Sequence, residues 1–224
     1  MVTPRNELKY LISSASARLL ESRLGAVLQK DRHTAAFGGY EIRSLYFDDP
    51  ASSAFFDKVN GIEKRAKYRI RFYNQSLDFI RLEKKEKRGN LSVKSGLQIS
   101  EKDASVILSS PEDIECADTL FSKLRDKRIH EHFQPLLFVD YTRKAYLHPA
   151  GNVRITLDSR LFASPFRGDL LDRAGRVPAL SPSETILEVK YDSFLPPYIS
   201  AVLADIPKVQ IAFSKFCKGH EILY

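Results

Sequence analysis

The residues with the most chemical content lie in "IEKRAKYRIRFY" (62–73), where Glu63, Arg65, Lys67, Arg69 and Arg71 alternate with Ile62, Ala66, Tyr68, Ile70 and Phe72. A period of two marks a strand with one apolar and one charged face. The apolar face needs only a core to pack on. The charged face carries four cations and one carboxylate. Like charges two residues apart repel, so such a face looks either at water or at a strongly anionic partner. The pattern recurs. Arg5, Glu7 and Lys9 share a face in "RNELKYLI", Glu83, Lys85 and Lys87 in "SLDFIRLEKKEKRGN", and Glu188 and Lys190 in "ETILEVKYDS". Guanidinium and ammonium groups gathered in this way bind anionic oxygens through charge-assisted hydrogen bonds.

The elements that must position these groups can be read in order. "RNELKYLI" is a strand, and "SSASARLLESRLGAVLQKD" a helix with Leu19, Leu20, Leu24, Val27 and Leu28 at helical spacing and serines to cap its start. "YEIRSLYFDD" is a strand, and "ASSAFFDKVNG" a short helix stopped by Gly61. The strand at 78–87 is followed by a turn at "RGN" and a short strand. Residues 100–134 have helical period, and strands resume in "PLLFVDYTRKAYLH" and "GNVRITLDSRLFA". A stretch rich in Pro, Gly and Ser over 164–183 has the composition of a lid. "PPYISAVLADI" reads as a helix, whereas "KVQIAFSKFCKGHEIL" fits strand or helix equally. The class is α+β, with helices enough to cover one face of an antiparallel sheet. If that sheet closes into a barrel, its charged faces line a tunnel.

The chain has 224 residues, 43% hydrophobic and 28% charged, which suffices for a buried core in a single domain over 1–224. Lys and Arg exceed Asp and Glu by 35 to 28, a formal charge of +7 that favours an anionic partner. Cys116 and Cys217 are too few for a disulfide framework or a thiolate metal site. "MVTPRNELKY" lacks the apolar stretch of a secretory signal, and no apolar run is long enough to cross a bilayer, so the chain is expected to be cytoplasmic. His130 and His132 read as surface residues rather than as a transition-metal site.

The motifs "RNELKY", "SLYFDD", "KYRIRFY", "LEKKEK" with "VKSG", "VDYTRKAY", "VRITLD", "ILEVKYD" and "FSKFCKG" occur in this order over nearly the whole chain. Together they resemble the triphosphate tunnel metalloenzymes (the CYTH-like superfamily), and within them the VTC-type polyphosphate polymerase domain. The resemblance implies an eight-stranded antiparallel β-barrel tunnel with helices packed outside. It implies that Arg69, Arg71, Lys85, Arg143, Lys190 and Lys215 act on the transferred phosphoryl group. Arg5, Lys9, Lys87, Lys94, Tyr141, Arg154 and Ser214 would bind substrate. Glu188 would be the principal ligand of Mn²⁺ or Mg²⁺, with Glu7 and Glu83 in support. A hard cation needs few protein carboxylates when phosphates supply the remaining oxygens. Glu63, Arg65, Lys67 and Arg81 share the parity of this face and are expected at its rim.

Hydrolytic and cyclase-like members of the superfamily open with Glu-x-Glu-x-Lys, where this chain has Arg5-Asn6-Glu7-Leu8-Lys9. Arg for Glu removes a metal ligand and adds a phosphate clamp, which suits holding a long phosphate chain. Three readings stand: a polymerase moving the γ-phosphate of ATP onto inorganic polyphosphate, an inorganic triphosphatase using the same residues, and a non-catalytic polyphosphate binder. Nucleic acid is disfavoured, because RNA binding calls for exposed aromatics over an open basic surface. The VTC-type resemblance leaves room for a separate membrane partner.

Overall fold

The alternation over 64–73 is realised as strand β4 (Lys64–Tyr73), whose Tyr68, Ile70 and Phe72 are buried. The computed structural model describes residues 5–89, 91–109, 112 and 118–224. Cys116, Asn90 of the "RGN" turn and the start of the helix expected from 111 lie outside the described residues.

The strands are β1 (Asn6–Ser13), β2 (Gln29–Lys30), β3 (Tyr40–Asp48), β4, β5 (Ser76–Arg88), β6 (Leu91–Ile99), β7 (Gln134–His148), β8 (Val153–Pro165), β9 (Val177–Pro178), β10 (Glu184–Tyr191) and β11 (Val209–Gln210). The helices are α1 (Ser14–Val27), α2 (Arg32–Phe37), α3 (Ser53–Val59), α4 (Glu101–Ser109), α5 (Thr119–His130), α6 (Pro197–Ala204) and α7 (Lys215–Leu223). This is the expected α+β class. The hydrogen-bonded order is β11-β1-β10-β8-β7-β3-β4-β5-β6, with β2 on β7 and β9 on β8. Eight of the strands have eight or more residues, the number expected. Their expected closure into a barrel is not found: among the described residues β11 and β6 end the order. The reason is local. β11 has two residues and pairs with β1 at Tyr10↔Gln210 and Leu11↔Val209 alone, while β6 pairs with β5 along its whole length.

The chain divides into two compact units, Met1–Glu41 with Tyr141–Leu161 and Pro178–Phe213, and Ile42–Asp140 with Phe162–Val177 and Ser214–Tyr224. Each has its own core. In the first, Leu20 and Leu24 of α1 and Ile199 of α6 pack on Ile155 of β8 and Leu187 and Val189 of β10. In the second, Ile107 of α4 and Leu124 of α5 pack on Leu45 and Phe47 of β3, Ile70 and Phe72 of β4 and Leu82 of β5. Burying each such side chain stabilises the fold by about 1.5–3 kcal/mol, which commits the opposite, charged parity of β4 and β5 to the other sheet face.

The caps are where the sequence places them. Ser13 accepts from Ser16 N at 3.0 Å to start α1, and Asp118 accepts from Leu120 N at 2.7 Å to start α5. Four details differ from expectation. α2, capped by Asp31, arises from "DRHTAAF", too short to show a helical period. The strand after "RGN" is not short, because β6 matches nine residues of β5. The closing segment resolves into β11 and then α7, started by Ser214, whose hydroxyl accepts from Cys217 N at 3.3 Å. Of the stretch expected as a lid, 164–177 is fastened within the second unit: Phe166 N donates to Leu136 O at 2.9 Å, Leu170 is buried, and Arg176 Nε lies 3.2 Å from Asp140 Oδ2. Among the described residues no helix is long and apolar enough to cross a membrane.

Candidate functional site

In an antiparallel pair, directly opposite residues share a face. In the second unit the registers Tyr46↔Arg69↔Glu83↔Gly96 and Lys67↔Lys85↔Lys94 therefore place these side chains in two adjacent rows across β3 to β6. The rows Arg65↔Lys87↔Ser92 and Ser44↔Arg71↔Arg81 flank them. One buried carboxylate, Glu83, organises the centre. Its Oε2 takes Arg69 Nε at 2.7 Å and Nη2 at 2.6 Å, with Arg71 Nη1 at 3.7 Å, and its Oε1 takes Lys94 Nζ at 2.8 Å. Burial by itself would raise the Glu83 pKa. The charges of Arg69 and Arg71 and the contact with Lys94 outweigh it and hold the carboxyl at about 2. Arg69 Nη1 also donates to Tyr46 OH at 2.9 Å. Burial would raise this phenol too, yet the same two arginines bring it down to about 8, with a contribution from Lys215.

Lys67, expected at the rim, points inward because α7 lies over it. Its Nζ reaches Ser214 Oγ at 3.2 Å and Cys217 Sγ at 3.3 Å, and burial lowers its pKa. The Ser214 hydroxyl thus accepts from Lys67 and from Cys217 N, which leaves its O–H to donate.

In the first unit the rows are Glu7↔Lys190↔Arg154 and Lys9↔Glu188↔Thr156, drawn from β1, β10 and β8. Two lysines and two glutamates interlock: Lys9 Nζ lies 3.0 Å from Glu7 and 3.7 Å from Glu188, and Lys190 Nζ 2.6 Å from Glu188 and 3.7 Å from Glu7. Arg143 forms a two-pronged pair with buried Asp158, 2.7 Å at each prong, with its guanidinium 5.3 Å over the Tyr141 ring. Burial disfavours its charge, but Asp158, Tyr141 and Glu188 raise its pKa well above the ordinary value. Arg154 Nη2 is held by Asp31 at 3.3 Å and Tyr40 OH at 3.4 Å. Arg5 is exposed and pairs with Asp192 at 3.5 Å.

The sequence-predicted residues therefore gather in two groups, one on each unit. Arg5, Glu7, Lys9, Tyr141, Arg143, Arg154, Glu188 and Lys190 belong to the first; Arg69, Arg71, Glu83, Lys85, Lys87, Lys94, Ser214 and Lys215 to the second. Sequence reasoning missed the residues that aim them. Asp158 shares parity with Arg154 in "VRITLD" and was findable on that ground. Tyr46 alternates with Ser44 in "RSLYFD" and gave the same signal. Asp31 precedes a helix with no visible period and gave none.

Of the three expected metal ligands, Glu7 and Glu188 come together, and Glu83 is engaged by cations in the other group. Among the described residues no three His, Cys, Asp or Glu side chains form a metal-binding group. The donor set still fits a hard cation. Glu188 is directly opposite Thr156, whose Oγ1 is buried without a hydrogen-bond partner. Two carboxylates and a hydroxyl are the oxygen donors that Mg²⁺ or Mn²⁺ takes alongside phosphate oxygens.

The model of the VTC domain matches residues 4–224. No curated protein is recognisably similar in sequence. The fold is similar to that of a candidate adenylate cyclase from Bacillus halodurans, at 14% identity and a TM-score of 0.52, over 91% of this chain and 87% of that one. A protein of Pyrococcus horikoshii OT3 aligns at 15% identity and a TM-score of 0.49, over 97% of this chain and 99% of its own.

Proposed function

The chain belongs to the VTC domain family, and from that premise we propose that it is a metal-dependent phosphotransferase, a polyphosphate polymerase that moves the γ-phosphate of ATP onto an inorganic phosphate chain. The observation that carries the reading is the face of β4, β5 and β6. There Lys67, Arg69, Arg71, Lys85, Lys87 and Lys94 lie in registered rows around one carboxylate, Glu83. A cationic excess fixed by strand register costs self-repulsion, which an anion of several charges offsets.

In this reading Arg69, Arg71 and Lys94 exchange part of their hold on Glu83 for phosphoryl oxygens, and Ser214 donates its hydroxyl hydrogen to another. Arg143, fixed by Asp158, and Lys190 and Lys9, fixed by Glu188 and Glu7, arrive oriented, so little side-chain entropy is lost on binding. Glu188, Glu7 and Thr156 would hold the divalent cation, which when bound neutralises charge on phosphoryl oxygens. Catalysis of this kind is mostly alignment of the attacking and leaving oxygens and charge stabilisation.

The alternative is an inorganic triphosphatase with the same residues. Arg5, in place of the first Glu of Glu-x-Glu-x-Lys, favours chain holding over a metal-activated water. The test is to incubate the protein with ATP and Mn²⁺ and to resolve products by gel and phosphorus NMR. ADP with an internal-phosphate signal and a ladder of chains supports the polymerase. Orthophosphate without chains, with faster turnover of inorganic triphosphate, replaces it with the hydrolase.

A further inference from the structure

Arg81 lies directly opposite Arg71 in the β4–β5 register, so two guanidinium groups leave adjacent strands on one sheet face. Like charges directly opposite are destabilising. Arg71 is 7% exposed and has partners: its Nε donates to Ser44 Oγ at 3.2 Å, and its Nη1 lies 3.7 Å from Glu83. Arg81 has none. Among the described residues it makes no ion pair and no hydrogen bond, and its Nε is buried and unsatisfied. Its guanidinium leans over Gly96, where a Cβ would come within 2.8 Å of Nη2. Gly96 stands opposite Glu83, so the missing side chain makes room for a cation at the edge of the Glu83 cluster. Glu83 has both oxygens engaged, by Arg69 and Arg71 on one and Lys94 on the other. Arg81 is therefore a guanidinium of this face that Glu83 does not serve.

We propose that Arg81 and Arg71 form a subsite for one phosphoryl group of an inorganic phosphate chain, admitted by the absence of a side chain at Gly96. The proposal rests on the reading of this face as an oxyanion site and adds to it a residue first placed at the rim. A phosphoryl group between the two guanidinium groups turns their repulsion into two attractions and gives the Arg81 Nε its acceptor. The anion and the unsatisfied donor then answer each other.

The experiment is calorimetric titration of inorganic tripolyphosphate without divalent metal into wild type, Arg81→Gln, Gly96→Ala and Arg69→Gln, with thermal unfolding of each ligand-free protein. Arg81→Gln is expected to weaken binding by about tenfold or more. Its ligand-free unfolding temperature should be unchanged or higher, because a repulsion is removed. Gly96→Ala keeps every charge and should weaken binding in the same direction by displacing the guanidinium. Unchanged affinity in Arg81→Gln overturns the subsite, as does lowered stability with unchanged affinity. If Arg69→Gln weakens binding and Arg81→Gln does not, the subsite alone fails. If neither does, the oxyanion reading of the whole face fails with it.

Discussion

Lys94 Nζ meets Glu83 at 2.8 Å on Oε1, while Arg69 Nε and Nη2 meet Oε2 of the same carboxylate at 2.7 and 2.6 Å. Strands on either side of β5 thus each claim one oxygen of a single buried carboxylate. That division makes Glu83 a structural tie between β4, β5 and β6.

Its acid dependence follows. The unfolded chain takes up a proton at Glu83 near the ordinary 4.5, the folded protein only at about 2. Between these values the unfolded state binds more protons, so this stability is present above pH 4.5 and is lost as pH falls toward 2. The contribution is on the order of 3 kcal/mol. Urea unfolding of wild type and Glu83→Gln across that window measures it. The stability gap should narrow as the pH falls, and a gap that stays constant would assign the acid sensitivity elsewhere.

Tyr46 acts in the same direction at alkaline pH. Its phenol ionises at about 8 in the folded protein and near the ordinary 10 in the unfolded chain. Between pH 8 and 10 the unfolded state holds the extra proton, so this residue contributes stability that grows as pH rises through the interval. Tyr46→Phe should lose that rise, about 2 kcal/mol by pH 10, while lysine titration affects both proteins alike. A phenolate absorbance step near pH 8 in wild type that is missing in Tyr46→Phe would identify the group. Persistence of the step in the variant would assign it to another tyrosine.

How far the sequence reaches is clear from these two residues. Glu83 was legible because strand period alone put it among Lys85, Lys87 and the parity of Arg69 and Arg71. Parity does not say which cation a carboxylate will hold, since that depends on the pairing of β4, β5 and β6, a long-range property. For the same reason Lys67 and Arg81 could not be told from rim residues: α7 covering Lys67 and Gly96 admitting Arg81 are tertiary facts. Most of the long strands were legible from alternation, but β6 read as short, because its length shows only in its nine-residue pairing with β5, and the number eight came with the resemblance. The ends of the sheet were not legible, because the two residues of β11 carry no period.

Replacing Arg69 and Arg71 together by Gln tests the face directly. Each supplies charge-assisted hydrogen bonds of about 1.5–3 kcal/mol, so tripolyphosphate binding should fall at least about 100-fold. The fold is not indifferent to this change. Glu83 is left with Lys94 alone, and a buried carboxylate losing its main partners costs about 3 kcal/mol. Affinity must therefore be measured where circular dichroism shows the variant folded. A folded double variant with wild-type affinity would remove both arginines from the binding role.

Glu188→Gln separates the metal from the phosphate. The carboxylate lies between Lys9 and Lys190, 3.7 and 2.6 Å away, and both keep Glu7 as a second partner at 3.0 and 3.7 Å. Neutralising it removes a negative charge from the face proposed to bind phosphate, so metal-free binding of tripolyphosphate should hold or tighten. Turnover with Mn²⁺ should fall by about 100-fold or more, because the amide is a poor substitute for the carboxylate that fits the cation. A merely structural role for Glu188 would lower both together, through displaced lysines. If turnover stays within about twofold of wild type at saturating Mn²⁺, the cation is not held at Glu188, and the argument from the unpaired Thr156 hydroxyl opposite it fails as well.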